Sequence, residues 1–207
     1  KEIRYFFDFL NGTKARLNFM RGGGGSGKST SLHQFFCIHK FTQGNHLEIL
    51  VVRKTMTSLR LTAYRKMVDL LKDLLGDKGF EYNKSEAWVK RGTNIMQFSG
   101  LDDSEKIKST EWDYIFAEEL TDFTQDDFSM LNLRLKRSGS GHPQLFGAFN
   151  PIDAFHWVKT EYYDKPTDRM AFHHSTYRHN PFVNEETKEN YRSLKEQNLT
   201  LWKIYSE

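Results

Sequence analysis

The segment "RGGGGSGKST" at residues 21–30 admits two interpretations when it is taken alone. Up to Ser26 it contains GGGGS, the repeat unit of flexible linkers. From Gly22 onward it matches G-x-x-x-x-G-K-S, the pattern of a phosphate-binding loop. Such a loop follows a buried strand and opens a helix, so the flanking sequence distinguishes the two interpretations.

The segments on either side of this stretch favour the phosphate-binding loop. The apolar "LNFM" at residues 17–20 predicts a strand, and "KSTSLHQFFCIHKF" at residues 28–41 predicts a helix. A linker joins modules and is not enclosed by a strand and an amphipathic helix. The sequence therefore predicts a site that binds the phosphates of a nucleotide.

The chemistry of phosphate binding gives each residue of the loop a role. Glycines let backbone N–H groups surround phosphate oxygens, and the helix that follows adds its positive dipole end. We expect Lys28 to reach the β- and γ-phosphates, Ser29 to bind Mg²⁺ through its hydroxyl, and Thr30 to support the start of the helix. The predicted nucleotide-binding residues are Gly22, Gly23, Gly24, Gly25, Ser26, Gly27, Lys28, Ser29 and Thr30.

Composition excludes several classes of protein. With 207 residues, of which 38% are hydrophobic, the chain can bury a sizeable core. The net charge of +3 is too balanced to indicate nucleic-acid binding by itself. The single cysteine, Cys37, forms no internal disulfide, which favours a reducing compartment, and we expect it in the core. No apolar run approaches the ~20 residues of a membrane span, and the first residues lack a secretory layout.

Short apolar runs alternate with helical patterns along the chain. Strands are predicted at residues 17–20, 47–52, 114–117, 144–149 and 170–177, and a hairpin at 87–98. Helices are predicted at residues 28–41, 59–74 and 125–136, with one charged helix from about residue 185 onward. This alternation predicts an α/β fold whose mostly parallel central sheet is flanked by helices.

Two acids follow the predicted strand in "WDYIFAEEL". Ligands of open α/β sheets bind at the carboxyl ends of strands, where Glu118 and Glu119 lie and Asp113 does not. Adjacent residues of an extended segment point in opposite directions. We therefore assign Glu118 to the Mg²⁺ shell, usually through water, and Glu119 to activating the attacking water. Asn150 follows the next strand and is a candidate for sensing the γ-phosphate, or a simple turn residue.

Taken together, these motifs resemble the ATPase domain of phage large terminases, the motors that package DNA. The resemblance is carried, in the family's order, by "GGGGSGKST", "VVRKTMTSLRLTAYRKM", "IFAEEL", "FNP" and "TYRHNPFVNEE". It implies the additional-strand, catalytic-glutamate branch of the P-loop NTPases. It also implies an ATPase core over residues 1–180 and a lid or linker over 181–207.

The resemblance further implies the function and its partners. ATP is the expected substrate and Mg²⁺ the cofactor, with Glu119, Lys28 and Asn150 as catalytic residues and Ser29 and Glu118 as metal-binding residues. Double-stranded DNA, the portal protein, the small terminase subunit and a homo-oligomeric ring are the expected partners, although the isolated domain is expected to be able to exist as a monomer. The expected location is the host cell cytoplasm, transiently at the procapsid portal. The family's RNase H-like nuclease domain is expected outside these residues, so we expect no nuclease activity here.

One departure concerns the loop itself. Many relatives have Arg where this chain has Gly24, so hydrolysis by the isolated chain is expected to be slow until assembly supplies a positive charge. Arg21 lies just before the loop and is a candidate substitute. The candidates for a finger given to a neighbouring subunit are Arg53, Arg60, Arg134, Arg137, Lys106 and Lys108.

Several interpretations stay open at the level of sequence. Tyr5, Phe6 or Phe7 could pack on the adenine base, although aromatic residues at such positions are more often in the core. The spacing of His173, His174 and His179 fits no standard zinc pattern. The rival functions are a helicase or another translocase of the same branch, a small-molecule kinase, and a nucleotide-regulated binding module without hydrolysis.

Overall fold

The computed structural model of the chain describes residues 3–43, 45–136, 141–150 and 153–206. Its centre is an eight-stranded sheet in the order β3-β4-β5-β2-β6-β7-β1-β8. The strands are β1 (Leu17–Gly22), β2 (Glu48–Arg53), β3 (Glu81–Asn83), β4 (Trp88–Arg91), β5 (Asn94–Gly100), β6 (Tyr114–Glu118), β7 (Gln144–Phe149) and β8 (Met170–Ser175). The predicted α/β fold with a mostly parallel sheet is confirmed.

Strand direction divides the sheet into two parts. The six strands from β5 to β8 in this order pair in parallel, whereas β3 and β4 pair antiparallel at one edge. The parallel strand β7 lies between β1, which leads into the glycine-rich loop, and β6, which ends at the acids. This order brings the carboxyl ends of β1, β7 and β6 together at one edge of the sheet.

Helices cover both faces of the sheet. They are α1 (Arg4–Gly12), α2 (Lys28–Gln34), α3 (Met56–Leu59), α4 (Arg65–Leu75), α5 (Ser104–Ser109), α6 (Gln125–Leu133), α7 (Glu185–Gln197) and α8 (Leu199–Ser206). A π-helical stretch, Phe35–Phe41, extends α2, and another, Arg60–Tyr64, joins α3 to α4. The helix α6 begins with a capping box between Thr124 and Asp127, and α4 ends at Gly76 with a φ of 71°.

The alternation of side chains along the strands builds two separate cores. On one face, Met20, Val51 and Phe116 pack against α1, α2 and α4. On the other face, Phe19, Leu50 and Ile115 pack against α6 and the segment around Tyr162. Both faces of the sheet are therefore buried, which explains why the parallel strands form near-continuous apolar runs in the sequence.

The C-terminal part departs from the sequence prediction. One charged helix is predicted from about residue 185, but the structure has two, α7 and α8, separated at Asn198. The Asn198 backbone is extended, with φ −153° and ψ 91°, and its side chain accepts a hydrogen bond from the Leu201 N–H. An asparagine cap thus starts a second helix where sequence periodicity alone suggests continuation. Among the described residues, no helix has the length and apolar character that crossing a membrane requires.

Candidate active site

The glycine-rich loop turns sharply between β1 and α2. A Cβ atom on Gly22 would lie 2.1 Å from the Ser175 carbonyl oxygen of the neighbouring strand β8, so no other residue fits there. Gly27 caps α2 with a φ of 88°, a left-handed conformation that favours glycine. The Ser26 hydroxyl is buried and has no hydrogen-bond partner among the described residues. The loop therefore has the tight turn and the unused polar atom that a phosphate cradle needs.

The Lys28 side chain lies at the centre of the site. It is buried, and its ammonium donates to Asn150 Oδ1 at 2.5 Å and to the Gly23 carbonyl oxygen at 3.4 Å. An ammonium has three donors, so a third remains for a phosphate oxygen. Burial lowers the pKa of Lys28 to about 8, while the charges of Glu119 and Glu118 act in the opposite direction.

For the ATP hydrolysis that the resemblance implies, the lowered pKa of Lys28 predicts a specific pH dependence. The charged form is needed, so we expect kcat/KM to fall above about pH 8, by roughly tenfold per pH unit, as free Lys28 loses its proton. Bound phosphates favour the ammonium, so kcat is expected to stay level to higher pH. Initial rates from pH 6 to 10, with circular dichroism as the control for folding, test this. A kcat/KM that is flat across the range contradicts it.

Glu118 is held by three side chains from three different elements. His33 Nε2 of α2 lies 3.2 Å from Glu118 Oε1. The Thr62 hydroxyl of the π-helical stretch donates to Oε2 at 3.2 Å, and Arg53 Nε of β2 lies 3.6 Å from the same oxygen. Arg53 also donates to the Thr62 hydroxyl at 3.0 Å. The carboxylate is thus positioned from both of its oxygens.

Glu119 leaves the line of the strand. Its φ of 56° and ψ of 57° are left-handed, a strained conformation for a residue with a side chain. The alternation that sequence reasoning assumed for an extended Glu118-Glu119 pair is therefore wrong, because the chain turns at Glu119. Strain of this kind is a recurrent feature of functional sites, and it re-aims the side chain at the end of the strand.

The environments of the two acids move their pKa values apart. Burial acts to raise the pKa of Glu118, but His33, Arg53 and Thr62 together outweigh it and the pKa lies below its usual value. Burial raises the pKa of Glu119, with the charges of Lys28 and Arg53 acting against this rise. Divergent pKa values within one site assign separate roles to its acids. Glu118 suits a permanent charge, and Glu119 suits a proton acceptor.

The donor set also fits a hard cation such as Mg²⁺. Ser29 lies in the first turn of α2 and Glu118 ends β6, so hydroxyl and carboxylate oxygens are offered from two neighbouring elements. Because both Glu118 oxygens already have protein partners, contact with the ion through water fits better than direct ligation. Among the described residues, no cluster of three or more His, Cys, Asp or Glu side chains has the geometry of a metal site.

The structure brings together most, but not all, of the predicted site residues. Gly22, Lys28, Glu118 and Asn150 meet at the carboxyl ends of β1, β6 and β7. Ser29 is half-buried in the first turn of α2, whereas Thr30 is exposed. Asp113 lies at the opposite end, where its carboxylate accepts from the Glu48 N–H at 3.0 Å.

Arg21 does not substitute for a loop arginine. Its guanidinium lies 5.4 Å from the ring centroid of Tyr163, which packs in the core on the face opposite α2. Residue parity along β1 explains this, because Arg21 shares its side of the strand with Phe19. Sequence proximity to the loop was therefore a misleading signal.

The candidate finger residues are dispersed. Arg53 contacts the Glu118 of its own chain and its side chain is largely buried, so it is not free to reach a neighbouring subunit. Arg60 donates to the Ser85 carbonyl oxygen, and Arg134 caps the end of α6. Lys108 is exposed on α5. Arg137 and the Lys106 side chain lie outside the described residues.

The aromatic and histidine candidates separate by burial. Phe6 and Phe7 are core residues, whereas Tyr5 is half-exposed and stacks on His179 with ring centroids 4.4 Å apart. His173 is packed against Phe6 and Phe9, and burial, reinforced by His179 and His174, lowers its pKa to about 4. Of the three aromatic candidates, Tyr5 alone is exposed, and its ring already contacts both His179 and His173. Cys37 is fully buried, as predicted, and burial raises the pKa of its thiol.

Sequence reasoning missed three residues at the site. His33 and Thr62 hold Glu118, and Asn180 Nδ2 donates to the Gly25 carbonyl oxygen of the loop at 2.8 Å. His33 follows Ser29 by one turn of α2, a spacing that could have suggested that it faces the site. Nothing local to Thr62 or Asn180 signals their contacts, since each partner is distant in sequence.

A known protein family matches most of the chain. The family model for the phage terminase large subunit covers residues 14–207. This chain belongs to that family. A curated relative, the large terminase subunit of Bacillus phage SPP1, is 25% identical over 193 residues, which cover 86% of this terminase chain and 45% of the relative.

Solved structures show the same fold. The large terminase of a thermophilic bacteriophage, in complex with ADP, matches with a TM-score of 0.73 and 20% identity, over 93% of this terminase chain and 48% of that chain. The large terminase ATPase domain of Thermus phage P74-26 matches with a TM-score of 0.72 and 12% identity, over 97% and 95% of the two chains. This terminase chain therefore spans about half the length of the SPP1 protein and of the ADP-bound relative, and nearly all of the P74-26 domain.

Proposed function

We propose that this chain hydrolyses ATP and that hydrolysis drives double-stranded viral DNA into a procapsid. The observation that carries the proposal is the convergence of Lys28, Asn150, Glu118 and Glu119 at the carboxyl ends of three neighbouring strands. A cation for phosphates, a sensor, a charged acid and a proton acceptor together form the set that phosphoryl transfer to water requires. Family membership supports the packaging role, and the ADP complex of the thermophilic-phage relative supports the nucleotide.

The chain's own groups divide the reaction among them. The loop amides and Lys28 bind the phosphates, and Ser29 with Glu118 would hold Mg²⁺. The bound ion would neutralise charge on the phosphate oxygens. Glu119, whose pKa is raised, orients the attacking water and accepts its proton. The Lys28 ammonium that would bind the phosphates also donates to Asn150. Loss of a phosphate would therefore change the Lys28–Asn150 hydrogen bond at the end of β7.

The proposal also divides the chain into an ATPase core at residues 1–180 and a lid or linker at 181–207. Contacts between this end of the chain and the loop support such an arrangement. From the proposed lid, the Tyr191 hydroxyl of α7 would lie 3.4 Å from a Cβ atom on Gly25, and Asn180, the last residue of the proposed core, donates to the Gly25 carbonyl oxygen. A movement of α7 would therefore change the packing of Tyr191 against the glycine-rich loop.

In the proposed setting the chain works with a portal protein, a small terminase subunit and further copies of itself. Assembly as a ring at the portal, in the host cell cytoplasm, fits a motor that passes duplex DNA through its centre. A neighbouring copy could then donate the positive charge that a loop with Gly24 lacks.

Two measurements test the proposed function. The chain should release phosphate from ATP, slowly when dilute. The turnover number per chain should rise with protein concentration if a neighbour completes the site. Within a reconstituted motor, duplex DNA should be translocated without strand separation. Absence of phosphate release at every concentration would refute the ATPase, and separation of the strands would favour a helicase instead.

A further inference from the structure

A basic groove lies at the edge of the sheet, away from the loop. It runs between the helical segment from α3 to α4 and the hairpin of β3 and β4, with a volume of about 460 Å³. Its walls carry four cations and one acid. The residues that line it are Arg60, Tyr64, Arg65, Val68, Asp69, Lys72, Tyr82 and Lys84.

The chain segment that includes this groove is positive, although Arg53 and Lys54 at its start pair with Glu118 and Asp127 outside the groove. Residues 53–91 contain ten Lys and Arg against five Asp and Glu, a net charge of +5. The whole chain carries only +3, so the remaining residues together are negative. A localised positive field of this kind is the electrostatic footprint of a polyanion-binding surface, even where the total charge is unremarkable.

The groove has fixed walls. The Arg60 guanidinium donates to the Ser85 carbonyl oxygen at 2.8 Å, and the Tyr64 hydroxyl donates to the Asn83 carbonyl oxygen at 3.4 Å. Both contacts tie the helical segment to the hairpin. The cations of the groove therefore lie on two elements whose spacing is fixed without a bound ligand.

The cations are poorly neutralised by the chain itself. Arg65 lies 3.9 Å from Asp69 and Lys72 lies 3.8 Å from Asp77, and these pairs are solvent-exposed or nearly so. Exposed pairs of this kind contribute little, so a phosphate can displace them. From Arg60 to Lys72 the helical segment rises about 18 Å, which equals roughly five base pairs of duplex.

Two other basic cavities are weaker candidates. In the first, formed by Lys14, Arg16, His142 and Arg169, Arg16 is committed to the Asn132 and Leu135 carbonyl oxygens. The second lies beside α7 and is lined by four cations, but Lys188 and Arg192 pair with Glu185 and Glu189 at 2.7 Å, and Arg178 and Lys195 lie over the Trp202 ring. The helix α7 has three cations against four acids, so its field is not positive overall.

We propose that the groove between the α3–α4 segment and the β3–β4 hairpin binds the phosphate backbone of duplex DNA. The inference rests on the proposed function, since it takes duplex DNA as the polymer that the motor moves. The same helical segment holds Glu118 through Thr62, two residues from Arg60. A duplex in the groove would thus contact the same helical segment that contacts Glu118.

Fluorescence anisotropy with a short labelled duplex, across a range of salt concentrations, tests the groove. The variant Arg65→Gln/Lys72→Gln should bind about tenfold more weakly at low salt. The negative slope of log K against log salt should become shallower, by about 2 in magnitude. The single variant Lys84→Gln, on the hairpin wall, should reduce the magnitude of this slope by about 1. The matched control Lys188→Gln/Arg192→Gln on α7 should bind like the wild type.

The outcomes separate this inference from the proposed function. Unchanged affinity and slope in both groove variants, failure of the wild-type chain to bind duplex at low salt, or an equal loss in the α7 control would each overturn it. Better competition by polyglutamate than by unlabelled duplex would point to an acidic protein and also overturn it. ATP hydrolysis without DNA is measured on the same samples: its absence in the wild type counts against the ATPase, whereas its retention in the groove variants shows that the site and fold are intact.

Discussion

Glu119→Gln is expected to lower the rate of ATP hydrolysis by about 10² to 10⁴-fold while leaving ATP binding nearly unchanged. Glutamine keeps the size and the hydrogen-bonding shape of the side chain but cannot accept a proton. The raised pKa of Glu119, caused mainly by burial, suits it to take the proton of the attacking water. The effect should therefore appear in kcat and not in the affinity for ATP.

The matched control for this variant is Asp126→Asn. Asp126 is an exposed acid in the first turn of α6, seven residues further along the chain. Single-turnover phosphate release should be normal in Asp126→Asn, and a fluorescent ATP analogue should bind equally to both variants. If Glu119→Gln turns over within about threefold of the wild type, Glu119 is not the proton acceptor.

Lys28→Ala is expected to abolish measurable hydrolysis, with a loss of at least about 10² to 10³-fold, and to weaken ATP binding. A charge-assisted hydrogen bond contributes about 1.5–3 kcal/mol, so the Kd for ATP should rise by roughly 10 to 100-fold. Unlike Glu119→Gln, this variant should affect both binding and turnover, because in the proposed function Lys28 binds the phosphates before and during the reaction.

Stability provides an internal check on Lys28→Ala. Burial lowers the pKa of Lys28 to about 8, so the charged ammonium carries a desolvation cost that alanine removes. We therefore expect no large drop in Tm, which differs from the loss of a structural core residue. Lys165→Ala, an exposed lysine paired with Glu161, serves as the control for simple loss of charge. A fully active Lys28→Ala would refute the assignment.

The loop and the acids were predictable because their signals are local. The pattern from Gly22 to Ser29 prescribes a turn and a helix start, and a buried apolar run ending in Glu118 prescribes an acid at the carboxyl edge. The order of strands was not predicted, because periodicity does not specify which strands are neighbours. The helix α1 had no prediction, although Phe6, Phe7 and Leu10 form one buried side of it.

Local reasoning failed where a neighbour in space decides the direction of a side chain. Glu119 was placed by the rule for extended segments, yet the chain has already turned there. Arg21 was placed by its nearness to the loop, yet its side of β1 faces the other core. The single helix from residue 185 failed for a different reason, because the charge pattern hid a local signal, the Asn198 cap that divides it.

Local sequence patterns were enough to predict the turn of the glycine-rich loop, the buried parallel strands and the location of the two acids at the carboxyl end of β6. These features depend on backbone conformation and on hydrophobic alternation, which neighbouring residues specify. Only the tertiary structure decided that Lys28 meets Asn150, 122 residues away, and that Thr62 meets Glu118, 56 residues away. Those contacts, and the walls of the basic groove, arise because sheet order brings distant strand ends together, and no local pattern encodes that order.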